Sequence, residues 1–236
     1  MSGTSEKVCV IAGAGAGNGA AFARRFAAEG WRCVLLARST GAISRIAREV
    51  KGALAISCDV GDEDSVADAF GRIRRELGPP TVLIYNAAAR SFANLDGTTP
   101  EMFEEAWRAG TFGAFLCAKE AVVDMRKAGG GNIVLIGATA SVRGGANFLA
   151  FAASKAALRS VGQSLARGLA AENIHVAHVV VDGVIDMPLT RERMPDRPDA
   201  LFMAPDAIAE AVYQVTRQPR SAWTFELDLR PAAESW

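Results

Sequence analysis

The stretch that decides the fold runs from Val8 to Gly19 and reads VCVIAGAGAGNG. A short apolar run, typical of a buried strand, leads into a glycine-rich turn and then a helical pattern. Small residues let a phosphate approach the backbone, and the free N–H groups and dipole of the following helix attract it. The spacing G-x-G-x-x-G fails because Asn18 takes its last position. The spacing G-x-x-x-G-x-G fits at Gly13, Gly17 and Gly19. The turn predicts a nucleotide site, with a tight turn that binds nothing as the alternative.

Strand and helix patterns alternate along the rest of the chain. Further strands are predicted at 33–37, 53–57, 82–85, 133–136, 175–181 and 223–229. Helices are predicted at about 19–29, 43–50, 62–77, 100–127 with a break near Gly110, 148–171 and 204–216. Apolar strands separated by helices predict an α/β fold with a parallel sheet covered on both faces. Right-handed crossovers then give a single doubly wound, Rossmann-like domain over 1–236, with ligands beyond the carboxyl ends of the strands.

Composition excludes several classes of protein. Half of the 236 residues are hydrophobic and 22% are charged, which argues against disorder. Because 26 basic residues balance 26 acidic ones without a basic stripe, no nucleic-acid partner is expected. The first apolar run is short and cut by glycines, so no signal peptide, membrane span or membrane partner is expected. These features predict a cytoplasmic protein.

Cysteines and histidines give no sign of a metal site. The four cysteines are far apart in sequence and are predicted to be buried free thiols: Cys9, Cys33, Cys58 and Cys117. His175 and His178 lie an odd number of positions apart on one predicted strand, so they face opposite sides of the sheet. Packing roles are expected for both.

Two features bear on the ligands. The second strand ends in Arg38, where folds that prefer NAD usually place an acidic residue for the ribose 2′-hydroxyl. A guanidinium pairs well with a 2′-phosphate, so NADP is predicted, with NAD as second choice and a solvated strand-end residue as the alternative. The segment 182–205 contains four prolines and is predicted to be a long loop. Such loops are often lids or substrate-binding loops, although a surface excursion fits its length equally well.

Further motifs follow the later strands at regular places. Asp59-Val60 ends the third strand, Asn86-Ala87-Ala88 ends the fourth, Lys155 stands in SKAAL on a long helix, and Asp182-Gly183 follows the sixth strand. Together with the glycine turn, these motifs resemble the short-chain dehydrogenase/reductase family over essentially the whole chain. The resemblance implies a seven-stranded parallel sheet, a nicotinamide cofactor, a small-molecule substrate and an oxidoreductase activity. It also implies a homodimer or homotetramer, assembled through the helices at 111–127 and 148–171.

The resemblance also assigns the residues of the cofactor site. Gly13, Gly17, Asn18 and Gly19 would hold the pyrophosphate. Asp59 and Val60 would contact the adenine, and Asn86, Ala87 and Ala88 would line the ribose. Gly183 and Ile185 would lie on the nicotinamide side, and Lys155 would hold the nicotinamide ribose.

The catalytic positions of the family are altered in this chain. The motif Tyr-x-x-x-Lys reads Phe151 to Lys155, the serine position thirteen residues earlier is Ala138, and the helix asparagine aligns with Gly110. Of the four family catalytic residues, Lys155 alone is retained. Phenylalanine has no titratable group, and a missing general acid costs about 10²–10⁴ in rate.

Three replacements for the tyrosine are open. Hydride could go to a conjugated double bond with water as the proton source, or Lys155 could be the acid. For Lys155, retention only to bind the cofactor ribose is the favoured alternative. A hydroxyl of Thr139, Ser141 or Tyr85 could also reach the site. The leading hypothesis is an oxidoreductase that prefers NADP. The alternative is a dinucleotide-binding protein without turnover, acting as a sensor or partner subunit. A scaffold that has lost the cofactor is disfavoured by the intact glycine turn, Asp59, Asn86 and Lys155.

Overall fold

The computed structural model describes residues 7–89 and 91–234. Seven strands form one sheet: β1 Val8–Ala12, β2 Arg32–Ala37, β3 Leu54–Ser57, β4 Val82–Tyr85, β5 Gly131–Ile136, β6 Ile174–Val181 and β9 Glu226–Leu229. Their order is β3-β2-β1-β4-β5-β6-β9, and all neighbours are parallel. The predicted seven-stranded, doubly wound sheet is confirmed. Strand order reverses between β1 and β4, where such folds bind ligands. The short strands β7 Val184–Ile185 and β8 Phe202–Met203 pair separately.

Helices cover both faces of the sheet. They are α1 Asn18–Ala28, α2 Thr40–Glu49, α3 Glu63–Glu76, α4 Pro100–Trp107, α5 Gly113–Lys127, α6 Leu149–Leu169, α7 Pro188–Arg193 and α8 Pro205–Thr216. Successive residues of β1 enter different cores, since Val10 packs in the cluster with α3 and α5 while Ile11 packs in the cluster with α1 and α8. All four cysteines are buried and free, as predicted. Within the described ranges, no helix is both long and apolar enough to cross a bilayer.

The acidic start of the third helix is explained by its cap. The Asp62 carboxylate accepts a hydrogen bond of 2.7 Å from the Ser65 amide. Glu63 and Asp64 follow in the first turn, where negative charge opposes the helix dipole.

The histidines of β6 make separate contacts. The His175 ring stacks on Trp223 at 4.8 Å, and its Nε2 lies 2.8 Å from the Thr224 carbonyl oxygen. His178 is fully buried, with Nδ1 3.4 Å from the Glu226 carboxylate. In the described part of the chain, no cluster of three His, Cys, Asp or Glu side chains is arranged for a metal ion.

The predicted break near Gly110 is a π-helical turn, Arg108–Phe112, which joins α4 to α5 without interruption. A Cβ built on Gly110 would overlap the Ser154 hydroxyl of α6, so the glycine lets the two helices approach. Ser154 Oγ donates to the Ala106 carbonyl at 2.7 Å, and Thr111 Oγ1 donates to the Ser154 carbonyl at 2.8 Å. The Ser154 hydroxyl thus bonds a carbonyl next to the widened turn, and the Thr111 hydroxyl ties the turn to α6.

The segment 182–205 is more ordered than its four prolines predict. It contains β7, α7 and β8, and the Asp186 amide donates to the Met203 carbonyl at 2.8 Å. Pro188 and Pro205 stand in the first turns of α7 and α8, where a missing N–H costs nothing. These prolines therefore begin helices and do not mark irregular chain.

The contact between Gly110 and Ser154 can be tested by stability. Gly110→Ala overpacks the helix contact and is expected to cost about 1–3 kcal/mol. Adding Ser154→Ala should recover part of this loss, because the Cβ of Ser154 lies 3.3 Å from the new methyl group. Urea unfolding of both single variants and the double variant measures this coupling.

Gly71→Ala is the matched control, since the new Cβ would meet nothing closer than the Arg75 guanidinium at 3.5 Å. Here alanine should stabilise α3 by up to about 1 kcal/mol. Strictly additive effects at positions 110 and 154 would contradict the proposed clash.

Candidate active site

A cavity of about 1390 Å³ lies beyond the carboxyl ends of β1, β2, β3, β4, β5 and β6. Nearly all of the predicted site residues line it: Gly13, Gly17, Asn18, Gly19, Arg38, Asp59, Val60, Asn86, Ala87, Ala88, Ala138, Phe151, Lys155, Gly183 and Ile185. Gly110 is the exception. It is packed under Ser154, and its neighbour Ala109 reaches the cavity instead.

The glycine turn lies directly on the end of β4. Gly13 has a φ of +78°, and a Cβ there would overlap the Ala87 backbone. The Asn86 side-chain amide donates to the Gly13 carbonyl at 2.9 Å. Gly15, by contrast, faces open space, since a Cβ on it would meet no atom within 4 Å. The turn is thus packed against the end of β4 at Gly13 and open to the cavity at Gly15.

The N-terminus of α1 has the properties of an anion site. Gly17 caps the helix without a side-chain hydrogen bond, and the first turn holds no acidic residue. The side-chain oxygen of Asn18 is buried without a partner. Helix N–H groups without a side-chain cap or a nearby acidic residue suit a pyrophosphate, so the residues present fit a dinucleotide. Met187 lies against Gly17, where a Cβ would overlap its sulfur atom.

Arg38 and Asp59 lie at the ends of β2 and β3. The Arg38 side chain is 67% exposed, and its Nη1 is 3.4 Å from the Glu105 carboxylate of α4. This long, solvated ion pair is weak, so Arg38 can leave Glu105 to bind an anion that pairs with it more strongly. Asp59 Oδ1 accepts from the Gly61 amide at 2.9 Å and so shapes its own turn.

Lys155 is buried at the centre of the cavity wall. Its Nζ donates to the Ile136 carbonyl at 2.7 Å. Burial lowers the pKa of Lys155 to about 8, because the charged ammonium loses its hydration. The ring of Phe151, one helical turn earlier, has its centroid 5.9 Å from Nζ.

Three phenylalanines form an aromatic wall beside Lys155. The Phe92 ring packs edge-to-face on Phe151 at 5.5 Å and on Phe148 at 5.2 Å. All three line the cavity, and Phe92 and Phe148 are 47% and 42% exposed. Sequence reasoning missed Phe92 and Phe148. Phe92 lies in irregular chain before α4, and Phe148 is the residue before α6. Neither belongs to a motif, and their exposure cannot be read from the sequence.

The three candidate hydroxyls are in different situations. Tyr85 is fully buried, donates to the Ala109 carbonyl and does not line the cavity itself. Ser141 is buried and accepts from the Ala138 amide at 3.1 Å. Thr139 lines the cavity, but its hydroxyl donates to the carboxylate of Asp182. That carboxylate also lies 3.1 Å from Arg230.

Known proteins of one family are similar to this chain in sequence. The family described as short chain dehydrogenase matches residues 7–198. The 3-oxoacyl-[acyl-carrier-protein] reductase MabA of Mycobacterium tuberculosis is 35% identical over 77% of this chain and 70% of its own. Cis-4-hydroxycyclohexanecarboxylate dehydrogenase of Sinomonas cyclohexanicum is 34% identical over 88% of each chain.

A solved structure is also similar. A metagenomic short-chain oxidoreductase in complex with NADP is 25% identical, with a TM-score of 0.83 over 98% of this chain and 100% of its own. The matched family covers most of the sequence, and the relatives align along most of their own lengths. The chain therefore belongs to the short-chain dehydrogenase/reductase family.

Proposed function

We propose that this protein is an NADP(H)-dependent oxidoreductase that interconverts a carbonyl and an alcohol on a small organic molecule, with Lys155 as the proton-transfer group. The observation that carries the proposal is the position of Lys155. Its ammonium lines the cavity next to Phe151, the residue that stands where the family has a titratable tyrosine. The ammonium makes one hydrogen bond to the protein. The names of the relatives, an oxoacyl reductase and a hydroxycyclohexane dehydrogenase, support a carbonyl–alcohol couple.

NADP is supported by three features. The similar oxidoreductase binds NADP, the glycine turn presents uncapped helix N–H groups, and Arg38 lines the cavity at the end of β2. Gly17, Asn18 and Gly19 would hold the pyrophosphate, and Arg38 would hold the 2′-phosphate. When bound, the nicotinamide supplies or accepts the hydride.

The proton step falls to Lys155 because the other groups are occupied. Carbonyl reduction requires a proton on the oxygen as the carbon gains the hydride, and Phe151 has none to give. The Thr139 hydroxyl directs its hydrogen to Asp182, and Tyr85 lies outside the cavity. The buried ammonium has protons beyond the one shared with the Ile136 carbonyl, and water re-protonates it afterwards.

Cofactor binding tests the first half of the proposal. NADPH should bind the protein in calorimetric titration, and Arg38→Asp should weaken NADPH about 10–100-fold while changing NADH little, because a charged hydrogen bond to the 2′-phosphate is lost. Arg45→Asp, an exposed arginine of α2 outside the cavity, is the control. Absence of binding by any nicotinamide dinucleotide would contradict the proposed function.

The pH dependence of ketone reduction tests the role of Lys155. Because the ammonium is the active form, kcat should be constant at neutral pH and fall as pH rises through about 8. Lys155→Met should lower kcat by about 10²–10⁴ at saturating NADPH. A variant that raises only the dissociation constant of NADPH, with kcat intact, would show that Lys155 merely holds the cofactor.

Assembly through α4 and α5 is part of the proposal; α5 is one of the two helices that the family resemblance implies, and α4 takes the place of the other, α6. Four exposed apolar side chains, the apolar stripe, lie on these helices: Phe103, Trp107, Phe115 and Val123. Ring contacts continue the stripe across the π-helical turn, since Phe112 stacks on Trp107 at 5.2 Å and lies 6.1 Å from Phe115. A second copy of the chain would cover this surface and form a homodimer or homotetramer.

Light scattering after size exclusion measures the assembly. The wild-type mass should be two or four times 24.8 kDa, and Trp107→Glu with Phe115→Glu should reduce it to one chain, because charge replaces the buried rings. Leu95→Glu is the control, since Leu95 is exposed outside the stripe. A wild-type monomer would exclude this assembly.

A further inference from the structure

We propose that Arg143 and Arg193 form a carboxylate subsite, and that the substrate is an apolar molecule carrying a carboxylate. This inference rests on the proposed function and names its substrate class. Both arginines line the same cavity as the aromatic wall of Phe92, Phe148 and Phe151.

The two arginines lie on the β5–β6 side of the cavity. Arg143 follows the turn after β5, and Arg193 is the last residue of α7. Arg38 lies at the end of β2, on the other side of the switch between β1 and β4. The pair is therefore separate from the end of the cavity assigned to the 2′-phosphate.

Both arginines lack a close carboxylate partner. The Arg193 side chain makes no hydrogen bond or ion pair with any residue that the structure describes. Arg143, with a side chain 66% exposed, comes no closer than 3.9 Å to Asp182. The Asp182 carboxylate is already held by Thr139 and Arg230.

The arginines near Arg193 in sequence, by contrast, have close carboxylate partners. Arg191 is paired with Asp186 at 2.7 Å and with Asp199. Arg197 is paired with Glu234 at 2.6 Å. The carboxylates that line this end of the cavity, Asp182 and Glu234, are thus both occupied. The uncompensated positive charge lies at Arg143 and Arg193.

The chemistry of the arginine pair and of the aromatic wall defines the class of ligand. A guanidinium presents a planar fork that matches the two oxygens of a carboxylate. The aromatic wall offers rings with no polar atom, which favours an apolar ring or short chain. A carboxylate held by the arginines, with its apolar body on the wall, would bring the carbonyl or alcohol group to Lys155.

Matched probes test this subsite. In calorimetric titration of the NADP⁺-bound protein, 3-phenylpropanoate should bind about tenfold or more tightly than its neutral isostere 3-phenylpropanamide, because only the acid forms charged hydrogen bonds. Arg143→Gln and Arg193→Gln should each remove most of this difference and leave the amide unaffected. Arg217→Gln, an exposed arginine at the end of α8 outside the cavity, should leave both affinities unchanged.

The controls separate this inference from the proposed function. Equal affinity for acid and amide, or variants that leave the preference intact, would overturn the subsite while NADPH binding stands. Variants that weaken NADPH itself would make the arginines cofactor ligands and would also overturn it. If the wild-type protein fails to bind NADPH, the proposed function fails, and the same probes titrated without cofactor still decide the subsite.

Discussion

The cavity depends on the absence of a side chain at Gly13. Its positive φ turns the chain off β1 and seats the turn against the backbone of Ala87, where any Cβ would overlap. The Asn86 amide then ties the end of β4 to the Gly13 carbonyl at 2.9 Å. This junction lies at the switch in strand order, so the glycine turn, the N-terminus of α1 and the ends of the central strands meet around one space.

The two ends of that space differ in chemistry. The end formed by the glycine turn and Arg38 offers backbone N–H groups and a weakly paired guanidinium, which suit phosphates. The end formed by the aromatic wall offers rings around a buried ammonium. Burial at this end lowers the pKa of Lys155 to about 8, because the charged ammonium loses its hydration.

Side-chain pairings, both long-range and local, place the remaining groups. Ser154 holds α6 against the π-helical turn, and this sets the helix that carries Phe151 and Lys155. The ion pairs of Arg191 with Asp186 and Asp199 order the segment that brings Arg193 to the cavity. The Ala106 carbonyl lies 48 residues from Ser154, so this partner cannot be chosen from local sequence, whereas Arg191 lies 5 and 8 residues from its partners.

Sequence alone determined the parallel sheet, the glycine turn and the strand-end residues that line the cavity, because strand and helix periodicity and turn glycines are local signals and parallel strands align their carboxyl ends. It also identified Phe151, since Lys155 four residues later anchors the motif. Tertiary structure alone decided that Gly110 is packed against Ser154 outside the cavity, that Pro188 and Pro205 begin helices, and that Phe92 and Phe148 join Phe151. Those outcomes depend on which loops and helices contact one another beyond the sheet. Such contacts follow from packing between residues distant in sequence, which no local pattern encodes.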